Sequence, residues 1–177
     1  MNRKWTSMIA AMALAMLCAS AYAANSNNLS PQDTAWIKTA HQINLEEIKA
    51  GTLAQSKGRA KVVDTAGRML ASDHQRLDSK LRQTAHELGV ALPSEASPKE
   101  QHTLHQLASM SGSEFDKMWT AKEREGHKKA IRKTQREIAQ GSSQQVKQLA
   151  RATLPVLKKH YNELQKSGAL VQKELSR

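Results

Sequence analysis

With 177 residues, the chain has the length of one domain. Its 27 Lys and Arg against 16 Asp and Glu make it strongly basic, and aromatics are only 3% of the residues. Scarce Gly and Pro beside abundant Ala, Leu, Gln, Lys and Glu argue against a sheet protein and for helices.

Residues 1–23 read as a secretory signal peptide: Arg3 and Lys4 first, then the short apolar run from Met8, then the small residues Ala21 and Ala23 around a cleavage point. The run is too short for a membrane span. The single cysteine, Cys18, follows Leu17 rather than the small residue of a lipoprotein signal, so it leaves with the peptide. The mature chain is then free of disulfide and thiol chemistry. Loss of Arg3 and Lys4 takes the formal net charge from +11 to +9. The expected place is the periplasm or cell envelope, where such a charge can rest on anionic surfaces.

Residues 24–30 are a flexible lead-in. Ser30 as N-cap, Pro31 in the first turn and Asp33 at the positive end of the dipole start a first helix, 31–57, which Gly58 breaks. A second helix spans about 59–88, and Gly89 stops it as a C-cap glycine does. After a loop, Ser97 and Glu100 have capping-box spacing and open a short helix to about Met110. The chain restarts at 111–116 and a long helix runs to Gln140, with a turn at Gly141–Ser142. The last helix covers 143–167; Pro155 is expected to kink it and Gly168 to end it, leaving a charged tail at 169–177. The expected fold is therefore all-α: a four-helix bundle domain over 31–168, with a short extra helix in the connection between the second and third long helices. No strand signal or internal repeat competes with this pattern.

Steps of three and four along each long helix trace its inward face. Each stripe is interrupted by a residue able to bind a metal: Glu47, His74, His127 and His160. Glu123, one turn before His127, can supplement them, and Asp73 can steady a ligand from behind. One oxygen and three imidazoles suit Fe, Mn, Zn or Cu better than Ca or Mg. At about 1.5 Å per residue all four fall near the middle of a bundle about 40 Å long, spread over about two turns. A buried Glu–His hydrogen-bond network that sets helix register would have the same pattern. The other histidines, His41, His86, His102 and His105, fall off the stripes and are expected at the surface.

Residues 44–51 (NLEEIKAG), 69–74 (MLASDH), 88–93 (LGVALP), 111–119 (SGSEFDKMW), His127 and 154–160 (LPVLKKH) occur in this order. Together they resemble domain-of-unknown-function family 4142, exported bacterial proteins grouped with ferritin-like folds and often labelled outer membrane proteins. The resemblance covers about residues 31–166. It implies a ferritin-like bundle with a crossover between the second and third long helices, and it points to Glu47, Asp73, His74, His127 and His160 as recurrent polar positions. The family often carries an acidic residue just before the histidine at 127, where this chain has Gly126. It brings no established activity with it.

A ferritin di-iron centre uses a Glu on each of two helices and Glu-x-x-His on two others. Here Ala71 and Leu157 stand three residues before His74 and His160, so a single-metal site, or none, is the expectation. A hydrolytic enzyme has little support: no cysteine nucleophile, no Gly-x-Ser-x-Gly elbow and no phosphate loop. Two functions remain. One is an exported bundle binding one transition metal for metal handling or stress tolerance. The other is an envelope interaction module whose basic helix faces (Lys122, Arg124, Lys128, Arg132, Arg136 and Arg151 among them) hold anionic partners. Nucleic acid is a poorer partner, because Trp36, Phe115, Trp119 and Tyr161 are too few and mostly inward for base stacking.

Overall fold

The computed structural model describes residues 29–176. The expected signal peptide and most of the lead-in lie outside the described residues. Five helices follow in order: α1 (Pro31–Lys57), α2 (Lys61–Glu87), α3 (Pro98–Ala108), α4 (Gly112–Gln140) and α5 (Gln144–Leu175). The fold is all-α.

Local chemistry sets most of the ends. The Ser30 hydroxyl accepts from the Asp33 amide while the Asp33 carboxylate accepts from the Ser30 amide, a reciprocal cap. Ser97 and Glu100 repeat the device at α3. Gly58 and Gly141 close α1 and α4 in extended conformation. Gly89 has φ 67°, a left-handed position natural to glycine, and follows the end of α2.

The last helix departs from expectation. It passes through Gly168 to Leu175, so the anticipated charged tail is helical. The reason is tertiary: Ser167 and Val171 continue the buried stripe beyond Leu164, and Val171 packs into the core.

α1 packs on α2 and α4, and α5 packs on α2 and α4, which closes a ring of four long helices; α3 lies mainly on α1. Direction follows from two turns. The Asp116 carboxylate near the start of α4 accepts from the Arg59 and Ala60 amides in the α1–α2 turn. The Asp33 carboxylate near the start of α1 accepts from the Ser142 and Ser143 amides in the α4–α5 turn. Each hairpin thus begins at the other's turn. α1 and α5 run one way, α2 and α4 the other, and residues 88–111 cross the length of the bundle.

These contacts expose a correspondence that the sequence pattern did not announce. Asp33 and Asp116, Trp36 and Trp119, and Gly58 and Gly141 are each 83 residues apart. Trp119 donates its indole N–H to the Ala50 carbonyl at 3.0 Å, and Trp36 donates to the Thr134 hydroxyl at 3.4 Å, so each tryptophan reaches across to the other hairpin.

Two apolar clusters fill the ends of the bundle. One gathers Ala50, Ala54, Val63, Leu70, Phe115, Trp119 and Leu164 with Leu104 and Leu107 of α3. The other gathers Trp36, Ile37, Leu81, Ala85, Val146, Leu149 and Ala150. In the first, α1 and α2 approach so closely that a Cβ on Gly51 would sit 2.5 Å from the Gly67 carbonyl oxygen. Between the two clusters lies a buried polar layer.

Candidate metal centre

The layer contains one imidazole from each of α2, α4 and α5: His74, His127 and His160, all at most 1% exposed. Each sits in the phase of an apolar stripe, so helix packing carries it inward. The nitrogens converge: His127 Nε2 lies 3.2 Å from His160 Nδ1 and 3.4 Å from His74 Nε2. All three donor atoms fall within 4.8 Å of one another.

The far side of each ring is already engaged. His74 donates from Nδ1 to the Asn44 side-chain carbonyl at 2.9 Å. His127 donates from Nδ1 to its own helix, at the Glu123 carbonyl 2.9 Å away, with Glu47 Oε1 also 3.2 Å distant. His160 donates from Nε2 to Asp73 Oδ2 at 2.9 Å. A neutral imidazole has one N–H. With that proton spent outward on every ring, three lone pairs face one another with no donor between them. Burial is the chief reason that the rings stay neutral. It drives His74 well below the ordinary histidine range and His127 down to about 3. It lowers His160 too, although Asp73 pulls the other way. Burial also pushes Asp73 upward, but the His160 hydrogen bond and the charges of Lys159 and Arg76 outweigh it and hold the carboxyl low, so it remains an anionic acceptor.

The expected residues therefore do not form a single set. Glu47 stands on the opposite side of the His127 ring from the three converging nitrogens and meets Glu123 there. Asp73 backs His160, as the position beside the ligands implied. The expectation for His41 is corrected: it is 5% exposed, not a surface residue. Its Nδ1 lies 2.6 Å from Asp78 Oδ1 and its Nε2 3.1 Å from the Pro93 carbonyl oxygen. Asn44 donates to the same Asp78 oxygen at 3.3 Å, which links His41 through Asp78 and Asn44 to His74. Pattern reading misses Asn44 and Asp78. The available signal was their coincidence with the buried faces, Asp78 one turn after His74 and Asn44 one turn before Glu47. His86, His102 and His105 are exposed, as expected.

The description "Domain of unknown function (DUF4142)" matches residues 18–166. The chain belongs to this family. No curated protein and no solved structure matches it. The DUF4142 resemblance noted in the sequence thus holds over most of the chain, and the chemistry has to be read from the centre itself. Among the described residues no helix is long and apolar enough to cross a membrane.

Proposed function

We propose that this DUF4142 protein is an exported, ferritin-like helical bundle that binds one transition-metal ion through His74 Nε2, His127 Nε2 and His160 Nδ1, with a role in metal handling in the cell envelope. One observation carries the reading: three inward imidazole nitrogens, with His127 Nε2 3.2 Å from His160 Nδ1 and 3.4 Å from His74 Nε2, on rings whose N–H groups all point away. Ligands at about 2.0–2.1 Å in a tetrahedron around zinc are about 3.3 Å from one another, so the rings already stand at ligand spacing. Neutral imidazole is the form that binds metal, and burial maintains it. Asp73 and Asn44 fix the tautomers and orient the rings as outer partners do in metal sites. Imidazole donors favour Zn, Cu or Fe, with zinc the best geometric fit.

The cavity beside His74 measures about 30 Å³, enough for a water molecule. Export is inferred from the first 23 residues, and the antiparallel ring with its long crossover supports the ferritin-like architecture.

Titration of metal-free protein with Zn, Cu and Fe tests the reading. The expected result is one tight equivalent that a His74→Ala/His160→Ala variant loses. Equal affinity in that variant would overturn it and leave the layer as a register-setting network.

A second reading rests on the outer surface, where Lys122, Arg124, Lys128, Arg132 and Arg136 are exposed along α4. An anionic partner held there binds through screened charge. Its affinity for anionic vesicles falls steeply with salt, and salt-insensitive binding contradicts the mechanism.

A further inference from the structure

The other side of the His127 ring carries chemistry that the imidazole site does not use. Glu47 and Glu123 are each 2% exposed; burial, with the Glu123 charge, holds the Glu47 carboxyl well above the ordinary range, and burial lifts Glu123 to about 7. The buried oxygens Glu47 Oε2 and Glu123 Oε1 have no hydrogen-bond partner. An unpaired buried carboxylate oxygen is costly, and two side by side more so. Both residues border a cleft of about 470 Å³ between α1, α3 and α4, to which Glu46 and Glu100 add acidic lining. Gly126 also borders it, on the face of α4 beside Glu47, where a Cβ would come only within 4.0 Å of Glu47 Oε1.

We propose that Glu47 and Glu123 form a second cation site, open to this cleft and separate from the imidazole site, which takes a hard divalent ion such as Mn²⁺. The proposal stands on the carboxylates alone and does not depend on the imidazole reading. His127 keeps its Nδ1 proton on the Glu123 carbonyl, so it faces this site as a donor and not as a ligand. The remaining coordination comes from water and from Glu46 or Glu100 across the cleft. The Glu47 and Glu123 carboxylate oxygens lie within 4.8 Å of one another, close enough for one cation to bridge them. Oxygen-only ligation separates this site from the nitrogen-lined one by metal class. Lysines also border the cleft. They are Lys99, Lys122, Lys129 and Lys133, of which Lys129 is exposed and pairs with Glu125 at 3.3 Å.

Electron paramagnetic resonance reads Mn²⁺ binding directly, because the sharp aqueous signal fades as the ion binds. The metal-free protein should take up one equivalent. Glu123→Gln, nearly isosteric, should weaken uptake by more than the ~10–100-fold typical of residues one step removed from a metal, and Glu47→Gln should do the same. His160→Ala should leave Mn²⁺ uptake within about threefold while it removes the zinc equivalent. Absence of Mn²⁺ binding, or equal binding by both Gln variants with intact helical circular dichroism, overturns the proposal. So does Mn²⁺ binding that His160→Ala abolishes and the Gln variants spare, since the ion then sits among the imidazoles. Zinc binding untouched by His160→Ala would instead overturn the imidazole reading and leave this one standing.

Discussion

The two hairpins, α1–α2 and α4–α5, share their ends and differ in their middles. At corresponding positions Asp33 and Asp116 clamp the opposite turn, and Trp36 and Trp119 reach across to the other hairpin. One turn farther toward the centre the likeness stops: where α1 has Asn44, α4 has His127, and where α1 has Ala40, α4 has Glu123. The ends are held by charged oxygens on backbone amides and by apolar packing, which leaves the middle free to carry buried polar groups. The difference teaches that stability and chemistry are housed at separate heights of one bundle.

Breaking the ends should have the largest effect. Trp119→Ala removes a fully buried indole and the donor to the Ala50 carbonyl, and should cost about 3–5 kcal/mol in urea unfolding. Trp36→Ala should cost less, because Trp36 is 7% exposed where Trp119 is fully buried and its bond to Thr134 is longer. Equal losses would contradict the ranking of the two ends. Asp116→Ala strips a charged acceptor from two backbone amides, and about 2–3 kcal/mol is expected from the same measurement.

Changes in the middle should register in metal affinity while stability barely moves. Asp73→Asn keeps the shape beside His160 but removes the anion that orients it, so zinc affinity should fall by about 10–100-fold in a competition titration. Unchanged affinity would mean that the carboxylate does not support a ligand.

The smallest effect is in pH dependence and belongs to the α4–α5 turn, where Glu137 and Asp33 meet. Burial, with the neighbouring Asp33 carboxylate, lifts Glu137 to about 7 from an ordinary 4.5. The folded protein then binds more protons than the unfolded chain between those values, so this group makes stability fall as pH rises through that window. Glu137→Gln should remove that fall, and the stability gap between variant and parent should widen from pH 4.5 to 7. Asp33 has the opposite sign. Burial pushes it up, yet hydrogen bonds from Ser30 and Ser143 hold it at about 2, below an ordinary 3.8. Its contribution is present above pH 3.8 and fades as pH falls toward 2, so acid titration of Asp33→Asn should lack that loss.

Which features could be read in the chain follows from how local they are. Ser30, Gly58, Ser97 and Gly141 marked helix ends because a cap is settled within four residues. Gly168 misled because the force that carries α5 past it, the burial of Val171, comes from other helices. His41 misled in the same way: its face is covered by Pro93 in the crossover and by Asp78 on α2. Glu47, His74, His127 and His160 were legible as inward polar residues. Stripe periodicity could not place Glu47 on the far side of the His127 ring, because that depends on the rotation of α1 against α4 to within a fraction of a turn.

By itself the sequence determined an all-helical chain, the ends of most of its helices and the four inward residues at mid-bundle, since propensity, capping and periodicity act over short stretches of chain. Only the tertiary structure decided which oxygen backs which ring, that three nitrogens converge while two carboxylates meet elsewhere, and that each hairpin starts at the other's turn. Those outcomes depend on how separate helices slide and rotate against one another, and contacts between residues distant in the chain, such as Asp116 with Ala60, set that packing.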